Sequence, residues 1–455
     1  MNKVQFKEAF RRGLGSAFVE LKTNSSREKY KDIVLWCCLH NTCYDMQCEG
    51  DRGNYLYNSV NLFDDKNFFE DAIIKRFLKD NLETWIFDQL CNLLCRFAEE
   101  GSLKSREALY EKYNVLFTYL SKRSRIGKPI CNERDEFEWL CIWLTSLDGF
   151  TAFKKIAEQV GEFFIRSKNT NSIFVDWFYS DAKEKFGEKR ITNYLNRKAQ
   201  KSKATAAFLN ETKSLESYIK RPLDTPTLDD LLQACYETKG HRARGVALRF
   251  AKIASEDQLM QLAQIVLDET SPDIKIELLW VFRKRPFPLN ENYILELAES
   301  NNESIRDVAF DVLQNITSDK IHDYALNLIN EQKEIANSLS LLCHCYRPED
   351  ETILTNAVKG FTVSYNDGEW HGVFMEVEKL LDRCSFKFQS DLFIHMYRQT
   401  LCSSCRSRLI ESMYKRRILT HEILEECQYD SYEDIRKYAL KKLKLAKKPT
   451  VLTKV

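Results

Sequence analysis

The sequence predicts an all-α protein whose C-terminal half consists of stacked helical hairpins and whose N-terminal half is an irregular helical region. The chain contains only 14 glycines and 8 prolines in 455 residues, too few turn formers for a many-stranded fold. Charged residues make up 30% and hydrophobic residues 44% of the chain, a mixture typical of amphipathic helices. An apolar triplet that recurs at a near-constant interval after residue 240 predicts the hairpins.

The first 220 residues show the 3.6-residue apolar period of helices. The first helix is predicted as a single element that ends at residues 24–26. The prediction follows from the apolar stripe of Phe6, Phe10, Leu14, Phe18 and Leu21. The same pattern predicts further helices at residues 27–39, 67–78, 85–97, 105–120, 137–145 and 150–166. Because no strand alternation bounded by turn residues interrupts this pattern, we assign residues 1–220 to one helical N-terminal region.

Pro222 and Pro226 mark a predicted boundary, since proline lacks an N–H donor and disfavours helix in the residue before it. We place a linker at residues 221–227, a repeat array at 228–447 and a tail at 448–455. The array is predicted from triplets spaced i, i+4 and i+7, which recur after 31, 31 and 30 residues: Ala243/Ala247/Phe250, Ile274/Leu278/Val281, Ile305/Ala309/Val312 and Ile335/Leu339/Leu342. Such recurrence is typical of an α-solenoid, in which neighbouring hairpins bury each other's apolar stripes.

Two segments of this array resemble the second helix of HEAT repeats. Residues 304–309 (SIRDVA) and 434–439 (DIRKYA) each place an aliphatic residue before an arginine and an alanine three residues after it. The resemblance covers residues 225–345 and 400–447, and it implies a HEAT-like solenoid with a concave binding surface. Between Val358 and Ser390 the period is interrupted.

Charge and hydropathy exclude several classes of protein. With 68 lysines and arginines against 67 acidic residues, the net charge is +1, so no global field attracts nucleic acid or membrane. The longest apolar run, at residues 33–39, is far shorter than the ~20 residues of a membrane-spanning helix. Since the first 20 residues also lack the apolar core of a secretory signal, we expect a cytoplasmic protein without membrane contact.

The motif search predicts no cofactor. The sequence contains no GxxxxGK[ST], GxGxxG or GxSxG motif, and its glycines are too few for a phosphate-binding loop. Most of the 15 cysteines are interpreted as reduced, buried thiols. A zinc site or a redox role are the alternatives, because zinc is commonly held by two close-spaced ligand pairs. The weak candidates for metal ligands are Cys343, Cys345, Cys402 and Cys405.

Two breaks in the helical pattern are candidates for partner binding. The segment Asn41–Asn54 crowds acidic side chains and an arginine around a glycine, which would aim them into a cleft. The second break, between Val358 and Ser390, would expose Trp370, and tryptophan is a residue type enriched in binding hot spots. The alternatives are a solvated turn that caps the next helix and a tryptophan that lies in the groove between repeats. The partner-binding candidates are Tyr44, Asp45, Glu49, Asp51, Arg52, Trp370 and His371.

Basic residues of successive repeats would form a nucleic-acid-binding face if they line one groove. The candidates are Arg242, Arg244, Arg249, Lys275, Arg283, Lys284, Arg285 and Arg306. The alternative is a set of solvated helix faces, balanced by acidic residues elsewhere.

Three hypotheses for function follow. The first is a non-enzymatic binding or adaptor protein that presents a concave surface to a protein partner. The second is a nucleic-acid-binding solenoid that uses the basic candidates. The third is an enzyme with an unrecognised site in the N-terminal half, based on the acidic segment at residues 41–54.

Overall fold

The computed structural model describes residues 1–25, 27–50, 52–80, 82–125, 133–167, 175–215, 225–238, 240–361, 369–383 and 389–446. Throughout these ranges the regular elements are helices and no strand occurs, so the all-α prediction is confirmed.

The α-helices follow one another in three stretches of the chain. The N-terminal stretch contains α1 (Lys3–Arg11), α2 (Gly15–Thr23), α3 (Lys31–Leu39), α4 (Met46–Glu49), α5 (Gly53–Val60), α6 (Lys66–Phe77), α7 (Thr84–Glu99), α8 (Leu103–Arg125), α9 (Glu133–Arg166), α10 (Asp176–Phe186), α11 (Glu188–Ala199) and α12 (Lys203–Leu215). The middle stretch contains α13 (Leu228–Gln233), α14 (Gly240–Ile253), α15 (Glu256–Asp268), α16 (Pro272–Leu279), α17 (Asn292–Ala298), α18 (Glu303–Leu313), α19 (Asp319–Asn330), α20 (Ile335–Cys345), α21 (Glu351–Gly360), α22 (Glu369–Arg383) and α23 (Gln389–Gln399). The C-terminal stretch contains α24 (Ser403–Lys415), α25 (His421–Glu426) and α26 (Glu433–Ala446).

Short 3₁₀ segments lie at Arg27–Tyr30, Trp280–Arg283, Pro348–Asp350 and Cys427–Tyr429. A single π-helical turn occupies Ala234–Thr238.

The chain forms two compact units. Unit 1 consists of Met1–Lys220, Cys402–Ile410 and Leu419–Val455, and unit 2 consists of Arg221–Leu401 and Glu411–Ile418. The predicted array at 228–447 therefore differs from the observed division, because part of α24 and all of α25 and α26 belong with the N-terminal helices. Residues 221–224 of the predicted linker lie outside the described residues, as does the predicted tail.

The first helix of unit 1 was predicted as one element and is two. Gly13 adopts φ 72°, a left-handed conformation that ends α1 and starts a new helix axis at Gly15. Gly15 also permits a close approach, since a Cβ there would lie 1.7 Å from the carbonyl oxygen of Glu426. The long helix α9 similarly bends at Gly149, where φ is 66°, between the two predicted helices 137–145 and 150–166.

In unit 2 the predicted apolar triplets form the core. Eleven of their twelve residues are buried, and Ile274 is half-buried. The second helices of the hairpins contact one another in the order α14, α16, α18, α20 and α22, while α19, α21 and α23 contact one another in a second layer. Polar N-caps separate the helices: Ser255 caps α15, Asn302 caps α18 and Ser318 caps α19 through side-chain hydrogen bonds.

Candidate functional site

The acidic segment near residue 49 forms a buried network in unit 1. The Glu49 and Arg52 side chains are almost fully buried and form an ion pair with Nη2 and Oε2 3.3 Å apart. Arg52 Nη1 also donates to Thr42 Oγ1 at 3.1 Å and to the carbonyl oxygen of Arg11. Glu49 accepts from the backbone N–H of Asp45 at 2.8 Å and from that of Ser403 at 3.0 Å.

These contacts indicate a structural role. Burial by itself would raise the pKa of Glu49, but the Arg52 charge and the hydrogen bonds from Ser403 and Asp45 hold this pKa below its ordinary value. The expected open cleft is therefore wrong for Glu49 and Arg52, because the start of α24 covers the carboxylate. Asp45 caps α4 by accepting from the N–H of Gln47, and Tyr44 is partly exposed. Asp51 lies outside the described residues.

Trp370 is buried within unit 2, so the prediction of an exposed contact residue is wrong. Only 1% of its surface is exposed, and its ring stacks on Phe361 at 5.8 Å and meets the His395 ring edge-on at 6.2 Å. This is the alternative position in a groove between helices. The neighbouring His371 is half-buried.

The four cysteines considered as metal ligands divide between the units. Cys343 and Cys345 lie on α20 in unit 2, whereas Cys402 and Cys405 lie at the start of α24 in unit 1. The Cys345 thiol donates to the carbonyl oxygen of Leu341 at 3.2 Å, and the Cys402 sulfur accepts from the N–H of Cys405 at 3.5 Å. These contacts fit thiols that satisfy local hydrogen bonds.

Most of the eight basic candidates have partners inside unit 2. Five form the following contacts: Arg244 with Glu277, Lys275 with the Tyr293 hydroxyl, Arg283 with Asp311, Arg285 with Glu256, and Arg306 with Glu334. Arg242 and Lys284 are exposed, and Arg249 is half-buried. Of the eight, only Arg283 and Lys284 border the polar cleft of unit 2, so the structure does not bring all eight into one groove.

The unit 2 cleft is a polar cavity of about 250 Å³ along the second helices. Its walls come from the end of the 3₁₀ segment Trp280–Arg283, the end of α18, and α20 and α22, which is why residues far apart in sequence meet there. It is lined by Arg283, Lys284, Gln314, Asn315, Ser340, Cys343, His344, Glu376 and Lys379.

Both signs of charge occur in the unit 2 cleft. Lys379 Nζ pairs with Glu376 Oε1 at 2.6 Å, while Glu376 Oε2 is buried and has no hydrogen-bond partner among the described residues. Arg283 Nε lies 2.7 Å from Asp311 Oδ2, whose carboxyl pKa is raised by burial and only partly lowered again by Arg283. Lys284 is the cation of the cleft with no ion-pair partner in the described part of the chain. The cleft therefore offers hydrogen-bond donors and acceptors together.

Trp280 contacts Arg283, a lining residue of the unit 2 cleft, and was not found from the sequence. The guanidinium carbons of Arg283 and Arg244 lie 3.9 and 4.9 Å from the centre of its ring. Arg244 is fixed in turn by Glu277, with 3.3 Å between Nε and Oε1. A tryptophan followed three residues later by arginine was the available signal, but spacing alone does not show that Arg244 of the preceding hairpin joins them.

Comparison of the sequence with known protein families found no matching family, and comparison with curated proteins found no significant similarity. The resemblance to HEAT repeats therefore stays a prediction. None of the described helices has the length and apolar character needed to cross a membrane.

Proposed function

We propose that this protein is a binding protein of the α-solenoid type, related in architecture to HEAT repeats, that holds a protein partner on the unit 2 cleft. The observation that carries the proposal is the Arg244–Trp280–Arg283 stack beside the exposed Lys284. Tryptophan and arginine dominate protein–protein hot spots, and a stack already fixed by ion pairs loses little entropy on binding.

A protein partner is favoured over nucleic acid because the cations are largely neutralised. Arg244, Arg283 and Lys379 each have a carboxylate within 3.3 Å, which reduces the field available to a phosphate backbone. A partner carboxylate that pairs with Lys284 and a partner donor that reaches Glu376 Oε2 would satisfy the polar groups the cleft leaves open.

The test is purification of the tagged full-length chain from its source, identification of co-eluting proteins and titration of the best candidate against purified chain. Lys284→Glu reverses the charge at the cleft, and we expect it to weaken binding by about tenfold or more. Lys252→Glu is the matched control, because Lys252 is also an exposed lysine of unit 2 but does not line the cleft.

Equal affinity of the partner for both variants would refute the unit 2 cleft as the site. Repeated recovery of the chain alone would argue against the binding function itself. A mobility shift of DNA or RNA at low salt that disappears steeply as salt rises would favour the nucleic-acid hypothesis instead.

A further inference from the structure

Three tryptophans of unit 1, on α7, α9 and α10, lie next to one another. Trp85 of α7 lies 6.3 Å from Trp139 of α9, and Trp139 lies 5.6 Å from Trp177 of α10, measured between ring centres. Trp177 has 56% of its surface exposed, whereas the other two are half-buried. We call these three residues the tryptophan ladder.

Carboxylates hold both ends of the tryptophan ladder in place. Glu83 caps α7 by accepting from the backbone N–H of Trp85 at 3.3 Å. Glu138 accepts from the backbone N–H of Trp177 at 2.8 Å and from that of Phe178 at 3.1 Å, which fixes the start of α10. An exposed indole on a fixed backbone is prepared for binding, because little conformational freedom remains to be lost.

The lack of a covering cation distinguishes the tryptophan ladder from Trp36 and Trp280 among the described residues. Lys7 and Arg11 lie over the Trp36 ring, at 5.6 and 5.5 Å, and two arginines lie over Trp280. Within the described ranges no lysine or arginine lies over a ring of the tryptophan ladder. The described part of the chain thus supplies cations to Trp36 and Trp280 and none to the tryptophan ladder.

Acidic residues neighbour the tryptophan ladder. Glu83 and Asp176 are exposed and Asp135 is half-buried. Burial raises the pKa of Glu138 to about 7, and the nearby charges of Asp176 and Asp135 contribute to that rise. Aromatic faces attract cations, and tryptophan does so most strongly, so the ladder and its carboxylates select for positive charge.

We propose that the tryptophan ladder is a docking surface for a basic, extended segment of a partner protein, whose arginine or lysine side chains lie over the indoles. Alternate side chains of an extended chain recur on one face about every 6.7 Å. This interval is close to the 6.3 and 5.6 Å between the rings, so a segment with a basic residue at every second position fits best. The proposal concerns unit 1 and is independent of the unit 2 cleft.

The experiment titrates the full chain into a fluorescein-labelled peptide of alternating arginine and serine, followed by fluorescence anisotropy. We expect saturable binding that Trp177→Ala weakens at least about tenfold and that Asp176→Asn weakens about threefold at low salt. Trp36→Ala is the matched control, because Trp36 is a partly exposed tryptophan of the same unit whose ring is covered by the chain's own cations, and this variant should bind normally. Lys284→Glu should also bind normally.

Three results would overturn the proposal. They are failure of the arginine peptide to bind with a Kd below about 1 mM, equal binding of a glutamine–serine peptide, and undiminished binding by a Trp177→Ala variant whose helical circular dichroism matches the wild type. Sedimentation of the wild-type chain alone provides a further check: a dimer abolished by Trp177→Ala would assign the tryptophan ladder to self-association.

Discussion

The two units differ in how far apart in sequence their polar partners lie. In unit 2 the contacts between helices join neighbouring hairpins, as in Arg244–Glu277, Asn315–Phe282 and His322–Asp350, which are 33, 33 and 28 residues apart. Unit 1 contains similar contacts, but it also joins the two ends of the described chain, with Glu49 bonded to Ser403 over 354 residues. The cited contacts of unit 2 span about 30 residues, whereas unit 1 also depends on a contact over nearly the whole sequence.

A fully buried ion pair lies beside the contact that closes unit 1. Arg406 and Asp430 are both fully buried, with Nη2 and Oδ1 2.9 Å apart and a second hydrogen bond from Nε at 3.0 Å. The Ser431 N–H beside them donates to the carbonyl oxygen of Gly13 at 2.8 Å. In unit 2, by contrast, Arg283 and Asp311 keep 28% and 34% of their side chains exposed. Removal of the charge should therefore cost far more at Arg406 than at Arg283.

The largest expected effect is that of Arg406→Met, which leaves Asp430 charged and buried without its partner. We expect a loss of about 3–5 kcal/mol in the free energy of unfolding, measured by urea denaturation with circular dichroism. The unit 2 counterpart, Arg283→Met, should cost only about 1 kcal/mol, because water still reaches Asp311.

Lys437→Met is the control within the last helix of unit 1, since the Lys437–Glu433 pair is about two-thirds exposed. It should change the free energy of unfolding by less than about 1 kcal/mol. Equal costs for the Arg406 and Arg283 variants would contradict the proposed difference between the units.

Glycine-to-alanine substitutions test how closely the helices pack in the two units. A Cβ at Gly161 of α9 would lie 1.9 Å from the carbonyl oxygen of Ala204 on α12, whereas at Gly245 of α14 the nearest atom is Arg249 Nη1 at 3.6 Å. Gly161→Ala should destabilise by about 2–3 kcal/mol through overpacking. Gly245→Ala should stabilise by roughly 0.5–1 kcal/mol, because alanine is the better helix former.

Thermal unfolding of the two glycine variants measures both effects, with opposite shifts of the midpoint expected. A stabilised Gly161→Ala variant would show that α9 and α12 are packed less closely than described.

A smaller effect than that of Gly161→Ala is expected from the pH dependence of Glu138. Burial raises its pKa from 4.5 to about 7, so the stability contributed by the neutral carboxyl is complete below pH 4.5 and is lost as pH rises through 7. Glu138→Gln keeps an oxygen acceptor for α10 without the charge. It should therefore be about 1–2 kcal/mol more stable than the wild type at pH 8 and equally stable at pH 4.5.

Asp311→Asn is the comparison in unit 2, because burial also raises the pKa of that carboxyl and the Arg283 charge only partly lowers it again. It should be more stable than the wild type at pH 8 by a smaller amount than Glu138→Gln, with the same sign. The measurement is a series of urea unfolding curves between pH 4.5 and 8, and a pH-independent difference for Glu138→Gln would contradict the assigned cause.

Periodicity predicted those features that depend on neighbouring residues. The stripe containing Ala309 and Val312 was assigned to a buried helix face from its spacing alone, and both residues are fully buried. Periodicity did not predict the end of α1 at Gly13, because the apolar period continues past this residue although its backbone is left-handed. A glycine within an apolar stripe permits both outcomes, and the contact with Ser431 decides between them.

The candidate sites were less predictable than the helices. Arg52 was expected in a cleft and is buried, since the residues that cover Glu49 come from α24. Trp280 was overlooked because its importance depends on Arg244, which lies on another hairpin. Whether a side chain is buried depends on such distant partners, and the residues next to it in sequence do not identify them.

By itself the sequence determined that the chain is helical, where most helices lie and which faces of the repeats are apolar, because these follow from backbone propensity and from a period of 3.6 residues. Only the tertiary structure decided that the C-terminal helices belong to unit 1, that the Arg406 and Asp430 side chains are both fully buried, and that three tryptophans form one surface. Contacts between residues that are tens to hundreds of positions apart depend on how the folded surfaces fit together and exclude water. A pattern along the sequence does not contain that information.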